Sequence, residues 1–340
     1  MKKEVRAWQF DEIKFFLIFL VVLGHILANY IGTSNASIDI QRLRFLIYFF
    51  HMPLFLFISG LFSKKNIEEK RYSQINYYLV LYLVVKIICF ISNAIQKDRY
   101  LINFFSESEV AWYCFALFAF QMITILLKNK NKTFIFFSSI ILGLLVGYDP
   151  TIRDQFVLSR IITFYPFFFA GYVLNPKKII EKLSSLKIII PSIIIVITFS
   201  LVVFVKINDI MVFSPLLTGR NPYNTLGDYM KVGWALRMVY YALVFLICFA
   251  IISIFTILKK PTIFNKFGKR TLSAYALHMV VVDFLFFKTL NPNDWMPNNS
   301  GLLLIPIDLI ITLVLSMEIF EKPFVWLKKK CIETTEKSIL

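Results

Sequence analysis

The chain has 340 residues, 58% of them hydrophobic and 17% aromatic, with a mean hydropathy of +0.69. A soluble domain carries roughly 45–50% apolar residues, so this composition excludes an ordinary water-soluble protein. The formal charge of +16 comes from Lys and Arg clustered in short segments between apolar blocks. That is a topology pattern rather than a basic stripe, and nucleic acid is not an expected partner.

Apolar segments of spanning length, ~17–25 residues, follow at about 13–31, 44–62, 74–92, 109–127, 133–148, 158–174, 187–206, 233–257, 271–289 and 301–319. They predict an all-α polytopic membrane protein of about ten transmembrane helices. Lys2, Lys3 and Arg6 precede a first run that is too long for a signal peptide and lacks a small-residue cleavage site, so an uncleaved first span is expected. With the N-terminus inside, segments 1–12, 63–73, 128–132, 175–187, 258–270 and 320–340 hold 24 Lys and Arg. The outer ends and loops hold 10: Arg42, Arg44, Lys97, Arg99, Arg153, Arg160, Lys206, Arg220, Lys231 and Lys288. This asymmetry predicts that both termini are cytoplasmic. One transmembrane domain is expected over 1–340, with helices within about 13–319 and a cytoplasmic tail over 320–340. No internal repeat is visible, which weighs against transporter folds built from duplicated halves. Cys89, Cys114, Cys248 and Cys331 show no metal-ligand spacing, so neither disulfide nor metal is expected.

Ionisable residues inside apolar spans are expensive in lipid and require a reason. The first span holds Lys14 and His25. Eleven residues at 100° each come to about 20° past three turns, so both share one face, ~16 Å apart along the axis. Asp11 lies within ~60° of that face at the inner lip. The second span runs outside to inside and places His51 at a depth similar to His25 if the two spans are neighbours. Two imidazoles near one level make a candidate acid–base centre. His278 lies halfway along the ninth span. Lys86 and Arg237 fall in the outer halves of their spans, where snorkelling to the interface is expected. Glu318 and Glu321 sit at the inner end of the last span. The long outer loop, about 207–232, mixes Pro215, Gly219, Arg220, Asn221, Tyr223 and Gly227, a composition that suits a carbohydrate surface, a lid or an ordinary connection.

These residues form an ordered set of blocks. Asp11-Glu-Ile-Lys14 followed by Gly24-His25 resembles the first-helix signature of the acyltransferase 3 family of membrane O-acyltransferases. Phe50-His51-Met52-Pro53-Leu54-Phe55 through Ile58-Ser59-Gly60 is similar to that family's second-helix block. Trp112-Tyr113, Ser159-Arg160 with Phe164-Tyr165-Pro166, Gly268-Lys269-Arg270 with Tyr275-Ala276-Leu277-His278, and Glu321-Lys322-Pro323-Phe324 resemble later blocks in the right order. The likeness spans nearly the whole chain and is nearest the fucose 4-O-acetylase-like branch, which acetylates sugars of surface polysaccharides.

The resemblance implies a ten-helix domain that takes acetyl groups from cytoplasmic acetyl-CoA, a donor substrate rather than a tightly bound cofactor. It places the protein in the plasma membrane of a bacterium and implies a saccharide acceptor on the outer side. His25 corresponds to the family's essential histidine. Lys14 stands where many members carry Arg, and Lys70-Arg71 stands where many carry an arginine pair. Some relatives append an extracytoplasmic hydrolase-like domain; transfer here is expected to finish within the membrane domain. The roles expected are His25 as general base, Lys14 oriented by Asp11 as donor anchor, and His51 as hydrogen-bond partner or second proton carrier. Lys64, Lys65, Lys70 and Arg71 would meet coenzyme A phosphates. Arg220, Tyr223 and Trp112 would contact the acceptor, with His278 and Glu321 supporting the site. The rival reading is a polysaccharide or lipid transporter using the intramembrane His and Lys as a proton relay.

Overall fold

The computed structural model describes residues 7–31, 37–96, 103, 106, 110–283 and 301–337. The expected positions Lys2, Lys3, Arg6, Lys97, Arg99 and Lys288, and the end of the ninth span, lie outside them. The described residues are helical, with a single isolated bridge between Ser106 and Gln155 and no strand.

Helices occupy all ten expected segments. Those long and apolar enough to cross a bilayer are Gln9–Ile31, Ile38–Glu68, Tyr72–Ser92, Leu186–Leu217 and Tyr223–Phe255. Gly301–Leu315 and Glu318–Thr334 form a sixth only as a pair bent by 49°, and Trp112–Leu127, Lys132–Tyr148, Leu158–Val173 and Thr271–Val281 are shorter apolar helices. We name the helices α1 (Gln9–Ile31), α2 (Ile38–Glu68), α3 (Tyr72–Gln96), α4 (Trp112–Leu127), α5 (Lys132–Leu145), α6 (Leu158–Val173) and α7 (Pro176–Leu183). The remainder are α8 (Leu186–Ile210), α9 (Ser214–Leu217), α10 (Gly233–Phe255), α11 (Asn265–Gly268), α12 (Thr271–Val281), α13 (Leu304–Leu315) and α14 (Glu318–Lys337).

Helix starts follow local chemistry. Asp11 and Glu12 occupy the first turn of α1, where carboxylates complement the helix dipole. The Asn131 side chain accepts the Phe134 amide at the head of α5, and Asn175 accepts those of Lys177 and Lys178 ahead of Pro176 in α7. The expected tail over 320–340 is largely the helix α14. Its apolar positions Phe324, Leu327 and Cys331 recur at helical spacing and dock it on α3 and α12, with the Tyr77 hydroxyl donating to the Phe324 carbonyl at 3.3 Å.

α1 is interior: it packs against α2, α10, α11, α12 and α13, and 67% of its apolar window is buried, against 17% for α8. The most extensive contact joins α2 to α6. A Cβ on Gly60 would fall inside the shell of the Phe168 carbonyl, and one on Gly171 inside that of Phe57. The two backbones therefore touch through reciprocal glycines, as membrane helices do when small residues let them approach. Pro53 cannot donate to the Phe49 carbonyl one turn back. The Tyr240 hydroxyl of α10 fills that place at 3.2 Å.

Two expectations are corrected here. Lys86 and Arg237 do not snorkel. The Lys86 ammonium donates to Tyr82 and to the Ser106 carbonyl, and Arg237, fully buried, donates to the Gly143 and Asn221 carbonyls over the Tyr223 ring. Oxygen acceptors inside the bundle hold both cations. Tyr223 itself has 0% exposure, and its hydroxyl donates to the Leu144 carbonyl at 2.7 Å. It anchors a small core with Leu216 and Leu226 that folds the 207–232 segment, so it presents no face to an acceptor.

Gly60→Val is expected to lower stability by at least ~2 kcal/mol through overpacking, read as a lower unfolding temperature of the detergent-solubilised protein. Tyr223→Phe is expected to cost about 1 kcal/mol for the lost hydrogen bond, again by thermal unfolding, with acceptor KM unchanged.

Candidate active site

The N-terminal end of α1 is bolted in place. Glu12 takes two hydrogen bonds from Thr262, to its amide at 2.7 Å and its hydroxyl at 2.8 Å, and the Asn265 side-chain amide donates to the Trp8 carbonyl. This fixes the turn in which Asp11, almost fully buried, meets Lys14 at 2.7 Å. The Lys14 ammonium also lies over the Phe62 ring of α2, 5.7 Å from its centre. Asp11 and Lys14 are thus brought together as expected from their spacing, and Glu12, quoted only as part of a motif, is the residue that holds them.

Further along α1, His25 is partly exposed although it lies mid-span. The imidazole against it is His278 of α12, with ring centres 5.1 Å apart. The expected partner, His51, instead bonds through Nδ1 to the Ile47 carbonyl at 2.7 Å and packs edge-on to Tyr48. His51 remains near enough to act on His25 electrostatically, as do Arg44 and Arg160. His278 Nδ1 lies 2.8 Å from the Tyr275 carbonyl and 3.1 Å from that of Ala274. A carbonyl only accepts, so Nδ1 carries the hydrogen and a neutral ring keeps its lone pair on Nε2. That Nε2 is buried and has no hydrogen-bond partner among the described residues. Gly24 has a local purpose: a Cβ there would lie 3.1 Å from the Tyr48 ring, so the glycine lets Tyr48 seat against α1 beside His25.

At the Lys14 end a cavity of about 330 Å³ opens among α1, α3, α4, α12 and α14, lined by Lys14, Tyr77, Tyr113, Tyr275, Glu321 and Lys328 among others. Glu321 accepts the Ser273 amide at 3.0 Å, capping α12 from another helix, while Glu318 pairs with Arg270 at 2.8 Å. Tyr113 shares a 2.7 Å hydrogen bond with Ser59, and Tyr275 donates to the Val110 carbonyl. Ring contacts step from Tyr113 to Tyr275 (5.4 Å), from Tyr275 to His278 (6.3 Å) and then to His25. The cavity and His25 are therefore joined by a line of polar aromatic rings. Lys64, Lys65 and Lys70 are exposed at the same end, around the α2–α3 turn, and Arg71 pairs with Glu69 at 2.5 Å.

At the opposite end, Arg44 stacks over Tyr48 at 4.8 Å, and Arg160 over Trp112 at 5.0 Å. Asp154 pairs with Arg220 at 2.5 Å and approaches Arg160 at 3.9 Å. Trp112 is largely buried against Phe164, and Arg220 is partly exposed. Arg160 and Tyr113 carried no assigned role in the sequence, although both sit in its quoted blocks. Asp308 is a further buried ionisable residue with no role assigned from the sequence. It is fully buried in α13, with Thr312 at 3.5 Å from one oxygen and the other without a partner among the described residues. A carboxylate mid-span is the same signal that marked Lys14 and His25. No group of three or more His, Cys, Asp or Glu able to hold a metal occurs among the described residues.

Comparison with known proteins agrees with this architecture. A 69-residue stretch is 39% identical to the nodulation protein NolL of Mesorhizobium japonicum, covering 20% of this chain and 18% of that protein. The match thus spans less than a fifth of the curated relative's length. No solved structure matches the chain at a significant level. Residues 8–320 match the acyltransferase domain of the family that the ordered blocks resemble, and this chain belongs to that acyltransferase family.

Proposed function

We propose that the protein is an O-acetyltransferase of the bacterial plasma membrane. It moves an acetyl group from cytoplasmic acetyl-CoA to a hydroxyl of an exopolysaccharide or capsule, or of its lipid-linked precursor. The observation that carries this reading is the His25 ring, facing His278 mid-span and linked by Tyr275 and Tyr113 to the Lys14-lined cavity. With the orientation read from the Lys and Arg asymmetry, that cavity opens to the cytoplasm.

In the proposed reaction the saccharide hydroxyl gives its proton to the free nitrogen of neutral His25 as its oxygen bonds to the acetyl carbonyl carbon. The carbon–sulfur bond then breaks, and the coenzyme A thiolate takes the proton back from His25, leaving the ring neutral. Negative charge develops on the acetyl oxygen, and Arg160, within electrostatic reach of His25, supplies positive charge for it. His278, held by two backbone carbonyls, keeps a fixed polar ring beside the base. Lys14, oriented by Asp11, anchors the donor, and Lys64, Lys65, Lys70 and Arg71 attract its phosphates at the entrance.

His25→Ala is expected to reduce acetylation of the surface glycan by ~10²-fold or more with normal protein levels, measured as O-acetyl content by NMR. Full acetylation in that variant would sink the mechanism. Deleting the gene is expected to remove acetyl signals while polymer is still exported; loss of the polymer itself would favour a transporter. Lys14→Ala is expected to raise the apparent KM for acetyl-CoA about tenfold, and an unchanged KM would exclude a donor role for Lys14.

A further inference from the structure

We infer that the protein binds its acceptor as a lipid: a saccharide joined through phosphate to a hydrocarbon carrier, with the tail between α2, α8 and α10 and the phosphate beside Arg44. This rests on the saccharide-acceptor reading above and adds the form in which the saccharide arrives.

Two adjoining hollows carry the inference. The first is a groove of about 550 Å³ with apolar walls, including Phe49, Phe199, Val203, Leu236, Val239 and Leu243. One wall is α8, the least buried of the five helices long enough to span a bilayer, so the groove opens sideways toward hydrocarbon. The second is a pocket of about 170 Å³ with polar walls from Gln41, Arg44, Ser214, Thr218 and Asn221. Phe45 and Leu217 line both, so the apolar groove and the polar pocket adjoin.

The charge of the polar end selects the ligand. The pocket has no carboxylate in its lining, and among the described residues no carboxylate pairs with Arg44. Among the described residues Arg44 Nε is buried without a hydrogen-bond partner. A guanidinium with donors to spare, flanked by hydroxyl and amide groups, fits a phosphate oxygen. The attached groove fits a chain that stays in the bilayer. A finished, water-soluble polymer would use the pocket but leave the groove without a ligand.

The site also faces the proposed chemistry. Arg44 stacks on Tyr48, Tyr48 seats against Gly24, and His25 is the next residue. A sugar attached to a phosphate at Arg44 is thereby delivered toward the base, while the carrier remains in the lipid.

Native mass spectrometry of the detergent-solubilised full chain tests this with three probes: a long-chain polyprenyl phosphate, the matching neutral polyprenol, and phosphatidylglycerol. Polyprenyl phosphate is expected to bind about tenfold more tightly than polyprenol, the size of one charge-assisted contact, and to resist displacement by phosphatidylglycerol. Arg44→Gln is expected to erase that preference, and Val239→Trp, which fills the groove from its lipid-facing side, to weaken both polyprenyl ligands. Equal binding of polyprenol, displacement by phosphatidylglycerol as an annular lipid, or unchanged binding in both variants would overturn the proposal. The two readings fail separately. Binding without acetyl transfer to any saccharide would refute the enzymatic reading, whereas acetylation of a soluble saccharide without retention of polyprenyl phosphate would refute this site.

Discussion

Where α2 crosses α6, two backbones meet with no side chain between them: Gly60 lies against the Phe168 carbonyl and Gly171 against that of Phe57. In lipid there is no hydrophobic gain in bringing apolar helices together, so close packing of this kind has to supply the attraction. The consequences reach both ends of the bundle. α2 carries Arg44, Tyr48 and His51 and, about one turn beyond Gly60, the Lys64–Lys65 cluster; α6 carries Arg160. On its other side α2 is held by α10, where Tyr240 occupies the carbonyl that Pro53 leaves unbonded. One proline and two glycines thus fix the helix against which α1, with Lys14 and His25, is set.

That frame explains how an apolar protein tolerates ionisable groups at its centre. Asp11 is paired with Lys14 and Asp154 with Arg220, while the cations Lys86 and Arg237 donate to carbonyl oxygens or a hydroxyl. His25 and His278 meet ring to ring, each able to remain neutral in a low-dielectric setting. Polar groups satisfied in this way rigidify the bundle; among the described residues, His278 Nε2, Arg44 Nε and an oxygen of Asp308 are three of several buried polar atoms without a hydrogen-bond partner.

Much of this was legible in the sequence. Hydropathy located the ten segments, and helical periodicity placed Asp11 and Lys14 together and His25 on the same stripe. His51 is not the ring set against His25, because a shared depth does not say which way an imidazole points: α2 does pack on α1, but His51 Nδ1 turns to the Ile47 carbonyl while His278 of α12 meets His25. Tyr223 looked like a sugar platform because exposed and buried tyrosines read alike; only the fold puts Arg237 over it. The expected snorkelling of Arg237 failed for the same reason, since the carbonyls that hold it come from residues far along the chain. Asp308 and the helical period of α14 were both visible and were missed, the first because it sits between strongly apolar neighbours and the second because charge outweighed periodicity in the tail.

His25 stands between a cavity lined by Lys14 and a pocket lined by Arg44, at opposite ends of the bundle, and the central claim is that acetyl passes between compartments there. Sealed proteoliposomes holding the reconstituted protein measure this most directly, with labelled acetyl-CoA confined to the Lys14 side and a saccharide acceptor to the Arg44 side. Labelled acetyl on the acceptor, lost when His25 is replaced by Ala, is the expected result. Acetylation that occurs only when donor and acceptor share one side, or that persists without His25, would contradict it.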